Sequence, residues 1–252
     1  MSSIPLPGLI ATFTDFGPGG PYTGQMQAVL LTQAPGTPVV DLLSLAPGFS
    51  PKPAAYLLAA LAEQMPRQSL FLCVVDPGVG SERRGLVLQT QDYCYVGPDN
   101  GLLAVAARRQ HEARVWEIDW RPEQLSSSFH GRDLFAPVAA GIARGEPPPG
   151  RLCGLDSMVG WDWPDDLAEI LFIDHYGNAY TGLRAAGLDR SQALHVGPHR
   201  LTYARTFSEV PSGQGFWYEN SCGLAEVAVN GASAVAGLGL ELGQPVFLEA
   251  HG

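Results

Sequence analysis

The sequence predicts an α/β N-terminal domain, with a mostly parallel sheet between helices, followed by a β-rich C-terminal barrel or sandwich. Three observations carry this. Up to Arg144, short apolar runs alternate with stretches of helical composition. At Gly145-Glu146-Pro147-Pro148-Pro149-Gly150 the alternation stops in three consecutive prolines, which belong to no element interior. Beyond them, short β-type runs recur about every ten residues between turn residues.

The first strand is Leu9 to Phe13, running into Thr14-Asp15-Phe16-Gly17 and a glycine-proline loop. Tyr22 to Gln33 reads as a helix, with Met26, Val29 and Leu30 at helix-face spacing. Strand Pro38 to Leu43, the Ala- and Leu-rich helix Pro53 to Gln64 and strand Leu70 to Val75 follow. Gly85 to Thr90 and Asp92 to Val96 form a hairpin pair. Next come helix Leu102 to Arg109, strand Arg114 to Ile118, and helix Phe135 to Arg144 with Pro137 in its first turn. After the prolines, the expected strands are Glu169 to Asp174, Ala193 to Val196, Arg200 to Thr206, Gly215 to Glu219, Leu224 to Val229 and Pro245 to Glu249. The expected division is an N-terminal domain of 1–150, a linker of 151–165 and a C-terminal domain of 166–252.

Composition narrows the function classes. The 252 residues are 46% hydrophobic and 16% charged, as in a packed globular protein rather than a disordered chain. The net charge of -10 argues against a nucleic-acid partner, because phosphate binding needs a basic face. None of the four cysteines forms a CxxC pair, so a zinc knuckle is not expected; they read as thiols of a reducing cytosol. No signal peptide and no transmembrane run is evident, so the expected location is cytoplasmic.

Two clusters are dense in acid, base and glycine: Cys73-Val74-Val75-Asp76-Pro77-Gly78-Val79-Gly80-Ser81-Glu82-Arg83-Arg84 and Ser128-Phe129-His130-Gly131-Arg132-Asp133. Strand Leu70 to Val75 delivers Asp76 to its carboxyl end, where ligands sit in open α/β sheets. An Asp, an Arg and a His brought together there can hold and polarise a water. The ordinary alternative is a salt bridge beside a buried histidine. Arg84 rivals Arg83, since adjacent residues point apart. Asp15 can bind a ribose cis-diol or can cap the first helix. His130 and Asp133 are too few ligands for a closed metal site, and His175, His195 and His199 lack ligand spacing, so no metal is expected.

The ordered set of motifs closely resembles one family. Its pieces are Thr14-Asp15-Phe16-Gly17 with Tyr22 and Gly24, Val74-Val75-Asp76-Pro77-Gly78-Val79-Gly80, Gly97-Pro98-Asp99-Asn100-Gly101-Leu102 and Phe129-His130-Gly131-Arg132-Asp133. In the second domain they are Ile173-Asp174-His175-Tyr176-Gly177-Asn178, Asn220-Ser221 and Asn230-Gly231-Ala232-Ser233. They resemble the S-adenosyl-L-methionine (SAM) hydroxide adenosyltransferases, or SAM hydrolases, relatives of the fluorinases and chlorinases. Three positions depart from the family pattern: Gly20 and Gly182 stand where an Asp and an Asn are usual, and Tyr176 replaces a Phe.

The resemblance implies a homotrimer with SAM bound between one subunit's N-domain and a neighbour's C-domain. It implies attack of water or hydroxide at C5′ of SAM, giving adenosine and L-methionine with no cofactor. Asp76, Arg83 and His130 would be catalytic, with Arg83 favouring hydroxide-like charge, His130 accepting the proton and Asp76 orienting the pair. Asp15, Asp174, Tyr176, Asn178, Tyr180, Phe207 and Ser221 would bind substrate: Asp15 the ribose, Asp174 the ammonium, Ser221 the carboxylate, Asn178 and the aromatic rings the adenine. Aromatic rings in a β-domain are also common core residues. Two other functions follow from the same motifs: a SAM- or adenosine-binding module without turnover, suggested by Gly20, and a halogenase, opposed by the Asp–Arg–His set.

Overall fold

The computed structural model describes residues 6–249. The chain divides into two units, one of residues up to 59 with 65–163, the other of 60–64 with residues from 164 onward.

The first unit contains β1 (Leu9–Thr14), α1 (Pro21–Gln33), β2 (Val39–Leu43), the start of α2 (Pro51–Ala62), β3 (Ser69–Val74), β4 (Gly85–Gln89), β5 (Tyr93–Pro98), α3 (Ala104–Arg109), β6 (Arg114–Ile118), α4 (Ala136–Ala143) and β7 (Gly150–Cys153). One seven-stranded sheet runs β2-β1-β3-β5-β4-β6-β7. β2, β1, β3 and β5 are mutually parallel neighbours, and the remaining pairings are antiparallel. β3 is buried along its whole length, as expected of a parallel strand covered on both faces. Its pleat sorts the side chains. Leu70, Leu72 and Val74 join Met26 and Leu30 of α1 and Val138 and Ile142 of α4 in one core. Phe71 lies on the opposite pleat and stacks on Tyr95 at 4.9 Å.

The three prolines do not end this unit. β7 pairs antiparallel with β6, so residues 151–153, expected in the linker, continue the sheet. Proline lacks only the donor: the Pro149 carbonyl still accepts from the Asp119 N–H at 3.2 Å. The rest of the expected linker is tied down by side chains of the same unit. Arg84 Nη2 donates to the Ser157 carbonyl (2.6 Å), Val159 N–H donates to Asp99 (3.0 Å), and Arg108 Nη1 donates to the Trp163 carbonyl (2.6 Å). Such a segment has no hydrophobic period to read, because side chains satisfy its backbone instead of a ladder.

The second unit contains β8 (Leu167–Ile173), β9 (Ala179–Arg184), β10 (Leu194–Val196), β11 (His199–Leu201), β12 (Gly215–Glu219), β13 (Leu224–Val229), α5 (Ala234–Leu238) and β14 (Val246–Leu248). Two antiparallel sheets, β12-β13-β9-β8 and β11-β10-β14, share a core around Trp217, Leu194, Val227 and Val246. β9 escapes a sequence reading because Thr181 and Gly182 interrupt its pattern. Thr181 is nevertheless buried, its hydroxyl donating to the Ala225 carbonyl at 2.7 Å. Gly182 pairs with Leu167, and a Cβ there would collide with the Leu167 carbonyl, so the strand approach itself selects glycine. α5 is too short to show a period; the Ser233 hydroxyl caps it by accepting from Ala236 N–H at 3.2 Å. Among the described residues no helix is long and apolar enough to cross a membrane.

Candidate functional site

A cavity of the first unit lies at the carboxyl ends of β1 and β3. Thr14 and Val74 are register partners in this parallel pair. Asp15 follows the first directly and Asp76 lies two residues past the second, so strand register alone brings both carboxylates to one edge. Both line a cavity of about 360 Å³, together with Phe49, Tyr22, Phe129 and His130. The Gly97–Gly101 motif supports this edge from behind: Asn100 Nδ2 donates to the Val75 carbonyl at 2.9 Å, fixing the strand end that carries Asp76.

His130 arrives from the other side. It stands at the head of a single π-helical turn, Gly131–Phe135, which leads into α4. Wide turns of this kind are frequent at functional sites. The turn is braced by Asp133, which accepts from Ser126 N–H (2.9 Å) and Arg132 Nε (2.6 Å). The bond from Arg132 is the main reason the Asp133 carboxyl is held below the usual range. Gly80 lets the β3–β4 loop approach: it has φ +82°, and a Cβ there would strike the Ser127 carbonyl.

Arg83, not Arg84, turns inward. Its Nε donates to Asp76 Oδ1 at 2.7 Å and its Nη2 to Oδ2, while the same Nη2 lies 3.1 Å from His130 Nδ1. The guanidinium also sits over the Phe135 ring, 5.1 Å from its centroid. Arg84 points away and pairs with Asp99, Nε to Oδ2 at 2.8 Å. Arg83 and Asp76 side chains are only 9% and 4% exposed, so this pair is shielded from solvent screening.

The geometry fixes the histidine's tautomer. A guanidinium has donors and no acceptor, so Nδ1 must present its lone pair to Arg83. The neutral ring then carries its proton on Nε2, at the edge away from Arg83. Burial, then the Arg83 charge, lowers the His130 pKa below 6.5. Held in this way, the neutral imidazole offers a donor on Nε2.

Asp15 does not cap α1. The N-cap is Gly20, with no side-chain bond, and Asp15 Oδ2 instead accepts from Phe49 N–H at 3.1 Å. Burial raises the Asp15 pKa against the pull of that hydrogen bond. Phe49 is 83% exposed and has φ +55°, an uncommon conformation for a phenylalanine. Sequence reasoning missed it, since a lone phenylalanine after Pro-Gly carries no signal. It also missed the ring cluster of Phe16, Tyr22 and Phe129, with centroids 5.2–5.8 Å apart.

The second unit has its own cavity, of about 730 Å³. Asp174, Tyr176, Asn178, Tyr180, Phe207 and Ser221 all line it. Asp174 builds the turn beneath it: Oδ1 accepts from Tyr176 N–H and Asn178 N–H, both at 2.9 Å, and Oδ2 from Asn178 Nδ2 at 3.2 Å. Gly177 has φ +82°, and a Cβ there would overlap Ser233, so glycine lets this turn meet the Asn230–Ser233 turn. Phe207 packs edge-on against Phe216 and Tyr218 at 5.1 and 5.3 Å, while Tyr176 is 77% exposed. Burial first, then Glu226, pushes the Tyr180 hydroxyl well up. Tyr218 and Glu226 also line this cavity and were not anticipated. One signal was available for Glu226: it is the single charge in an otherwise apolar strand.

The expected site residues thus line two cavities, one in each unit, except Arg83, which stands behind Asp76 and His130. Among the described residues, no group of three or more His, Cys, Asp or Glu is placed to hold a metal ion.

Family models match both parts of the chain. Residues 10–151 match the SAM hydroxide adenosyltransferase N-terminal domain, and residues 168–247 match its C-terminal domain. An (R)-S-adenosyl-L-methionine hydrolase of Thermus thermophilus is 38% identical over 255 residues, covering 93% of this chain and 97% of the relative. A fluorinase of Nocardia brasiliensis is 22% identical over 286 residues, covering 93% and 94%. A crystal structure of an uncharacterized conserved protein from Thermotoga maritima superposes with a TM-score of 0.86 at 29% identity, covering 96% of this chain and all of that one. With both domains matched along most of its length, the chain belongs to the SAM hydroxide adenosyltransferase family.

Proposed function

We propose that this protein hydrolyses SAM, with water attacking the ribose C5′ to give adenosine and L-methionine. The observation that carries the reading is the contact of Arg83 with both Asp76 and His130 at the edge of the first cavity. It stands in a chain 38% identical to a named SAM hydrolase. The C–O bond forms as the C–S bond breaks, and the electron pair goes to sulfur. The sulfonium leaves as a neutral thioether, so no general acid is needed.

What the protein must supply is a positioned water and a place for its proton. His130 donates its Nε2–H to the water oxygen and fixes its orientation. Arg83 keeps His130 in that tautomer and holds the Asp76 carboxylate in place. Asp76 is the cavity carboxylate joined to this cluster, and it takes the proton as the attacking water becomes acidic. Holding the water in line with the C–S bond contributes as much as the proton transfer does.

Asp15 binds the ribose hydroxyls. Asp174, Tyr176, Asn178, Tyr180, Phe207 and Ser221 hold the adenine and methionine parts. Because the cavities belong to different units, we place SAM between the first unit of one subunit and the second unit of a neighbour in a homotrimer. The enzyme works in the cytoplasm without a cofactor. The test is to incubate pure protein with SAM in ¹⁸O-water. The label is expected on the adenosine 5′-oxygen; a 5′-halogenated product, or SAM bound without turnover, would replace this reading by the halogenase or the binding module.

A further inference from the structure

β13 is buried along its length, yet one of its residues is an acid. Glu226 is 1% exposed and lines the second unit's cavity. Its register partners are Tyr218 on β12 and Tyr180 on β9, so it is the centre of a polar row across three strands. No Lys, Arg or His lines that cavity, and Asp174 adds a second acid. A carboxylate taken out of water without a cation is costly, so its retention in a strand of Leu, Ala and Val calls for a specific task.

The hydrogen bonds show the task. Glu226 Oε1 accepts from the Tyr218 hydroxyl at 2.5 Å, and Oε2 accepts from Asn220 Nδ2 at 2.9 Å. A carboxylate only accepts, so it forces the Asn220 amide to present Nδ2. Asn220 Oδ1 is thereby turned the other way, where it accepts from Cys222 N–H (2.9 Å) and Leu224 N–H (3.0 Å). Those two bonds close the turn that carries Ser221 on the cavity wall.

We propose that Glu226 is a positioning residue: by orienting Asn220 it locks the turn that presents Ser221 to the ligand. This rests on the reading of the cavity as part of a SAM site. It adds that a residue with no bond to Ser221 governs what Ser221 does. Glutamine can replace the acid, because its amide oxygen can face Asn220 while its N–H donates to the Tyr218 oxygen. Alanine cannot.

The experiment is a double-mutant cycle on the full-length protein, with SAM as the titrated ligand in calorimetry and turnover measured alongside. E226A and S221A should each weaken SAM binding by roughly 10–100-fold, the worth of one hydrogen bond to a charged group. The E226A/S221A double variant should lose little more than either single, because both act through one contact. E226Q should recover most of the affinity lost in E226A, and kcat should change far less than KM. If E226A does not fold, N220A breaks the same link and takes its place in the cycle. Additive losses, or an E226Q as weak as E226A, would overturn the proposal. A wild type that binds SAM while E226A or N220A binds equally overturns it alone; a wild type that binds no SAM overturns the function reading too.

Discussion

The assignment of His130 as a hydrogen-bond donor makes a measurable prediction about two substitutions. His130→Ala removes the Nε2–H donor and the Nδ1 acceptor that faces Arg83 at 3.1 Å. Loss of the group that holds the water in line costs about 10²-fold in kcat, and loss of positioned proton transfer about 10²–10⁴. The alanine variant alone therefore cannot separate a donor from a base. His130→Gln can. A glutamine amide reaches the Nε2 position, keeps an N–H there, and has no proton-accepting nitrogen. The donor reading expects H130Q to turn over at least about tenfold faster than H130A, since one N–H bond to the water is kept. KM for SAM should stay close to wild type in both, because His130 holds the water and not SAM.

The pH profile completes the test. Burial and Arg83 lower the His130 pKa, so the neutral ring persists below the ordinary value of 6.5. Wild-type kcat should hold as pH falls past 6.5 and drop only through that lower value, where a proton on Nδ1 would face the Arg83 N–H. In H130Q this acid limb should disappear. Stability follows the same sign: between the lowered value and 6.5 the unfolded chain binds more protons, so folding weakens as pH falls across that window. Initial rates of adenosine formation at saturating SAM, from pH ~4.5 to ~9, are the assay. An H130Q as slow as H130A, with an acid limb in the wild type centred above 6.5, would refute the donor role and restore His130 as the proton acceptor.

Arg83→Lys should lower kcat by about 10²-fold or more with little change in KM, because an ammonium cannot reach both Asp76 oxygens and His130 Nδ1 together. Arg84→Ala should leave kcat and KM near wild type but lower thermal stability, since Arg84 fastens Asp99 and the Ser157 carbonyl rather than the cavity. Gly177→Ala should destabilise the second unit and weaken SAM binding, read by a fall in Tm and by calorimetry, because it strains a φ of +82° and drives a methyl into Ser233. Mixing Asp15→Ala subunits with Asn178→Ala subunits should partly restore activity that each lacks alone; no recovery in a verified mixed oligomer would remove the shared site.

The parts legible in the sequence are those where one physical rule acts alone. Leu70 to Val75 reads as a buried parallel strand because an uninterrupted apolar run has few other uses, and register then places Asp76 beside Asp15. The Arg83 and Arg84 choice was open, because alternation separates neighbours without saying which faces inward; that depends on where Asp76 and Asp99 lie. β7 was hidden behind three prolines, which read as a break although their carbonyls can still accept at an edge strand. β9 was hidden by Thr181, whose burial depends on a carbonyl from another strand. The His130 tautomer was beyond reach, since it is set by a guanidinium 47 positions away in the chain.

The same cluster explains why so few groups suffice. In most displacements at carbon the enzyme must both strengthen the nucleophile and help the leaving group depart. A sulfonium arrives already charged and departs neutral, so only the first task remains. Charge thus moves from sulfur toward the attacking oxygen, and a carboxylate near that oxygen stabilises the transition state more than the ground state. Asp76 can serve there only if Arg83 holds it in one orientation without filling all its lone pairs, and two bonds from one guanidinium do this. In the proposed arrangement His130 gives Arg83 a further acceptor and the water a donor. If that is the division of labour, Asp76→Asn should be the most damaging single change at this edge. It keeps the size of the side chain, removes the proton acceptor and sets an amide N–H against Arg83. Its kcat should fall below that of H130Q and R83K, with SAM affinity within about threefold of wild type. A D76N variant faster than either would mean the proton leaves by another route, and the roles assigned to all three residues would have to be exchanged.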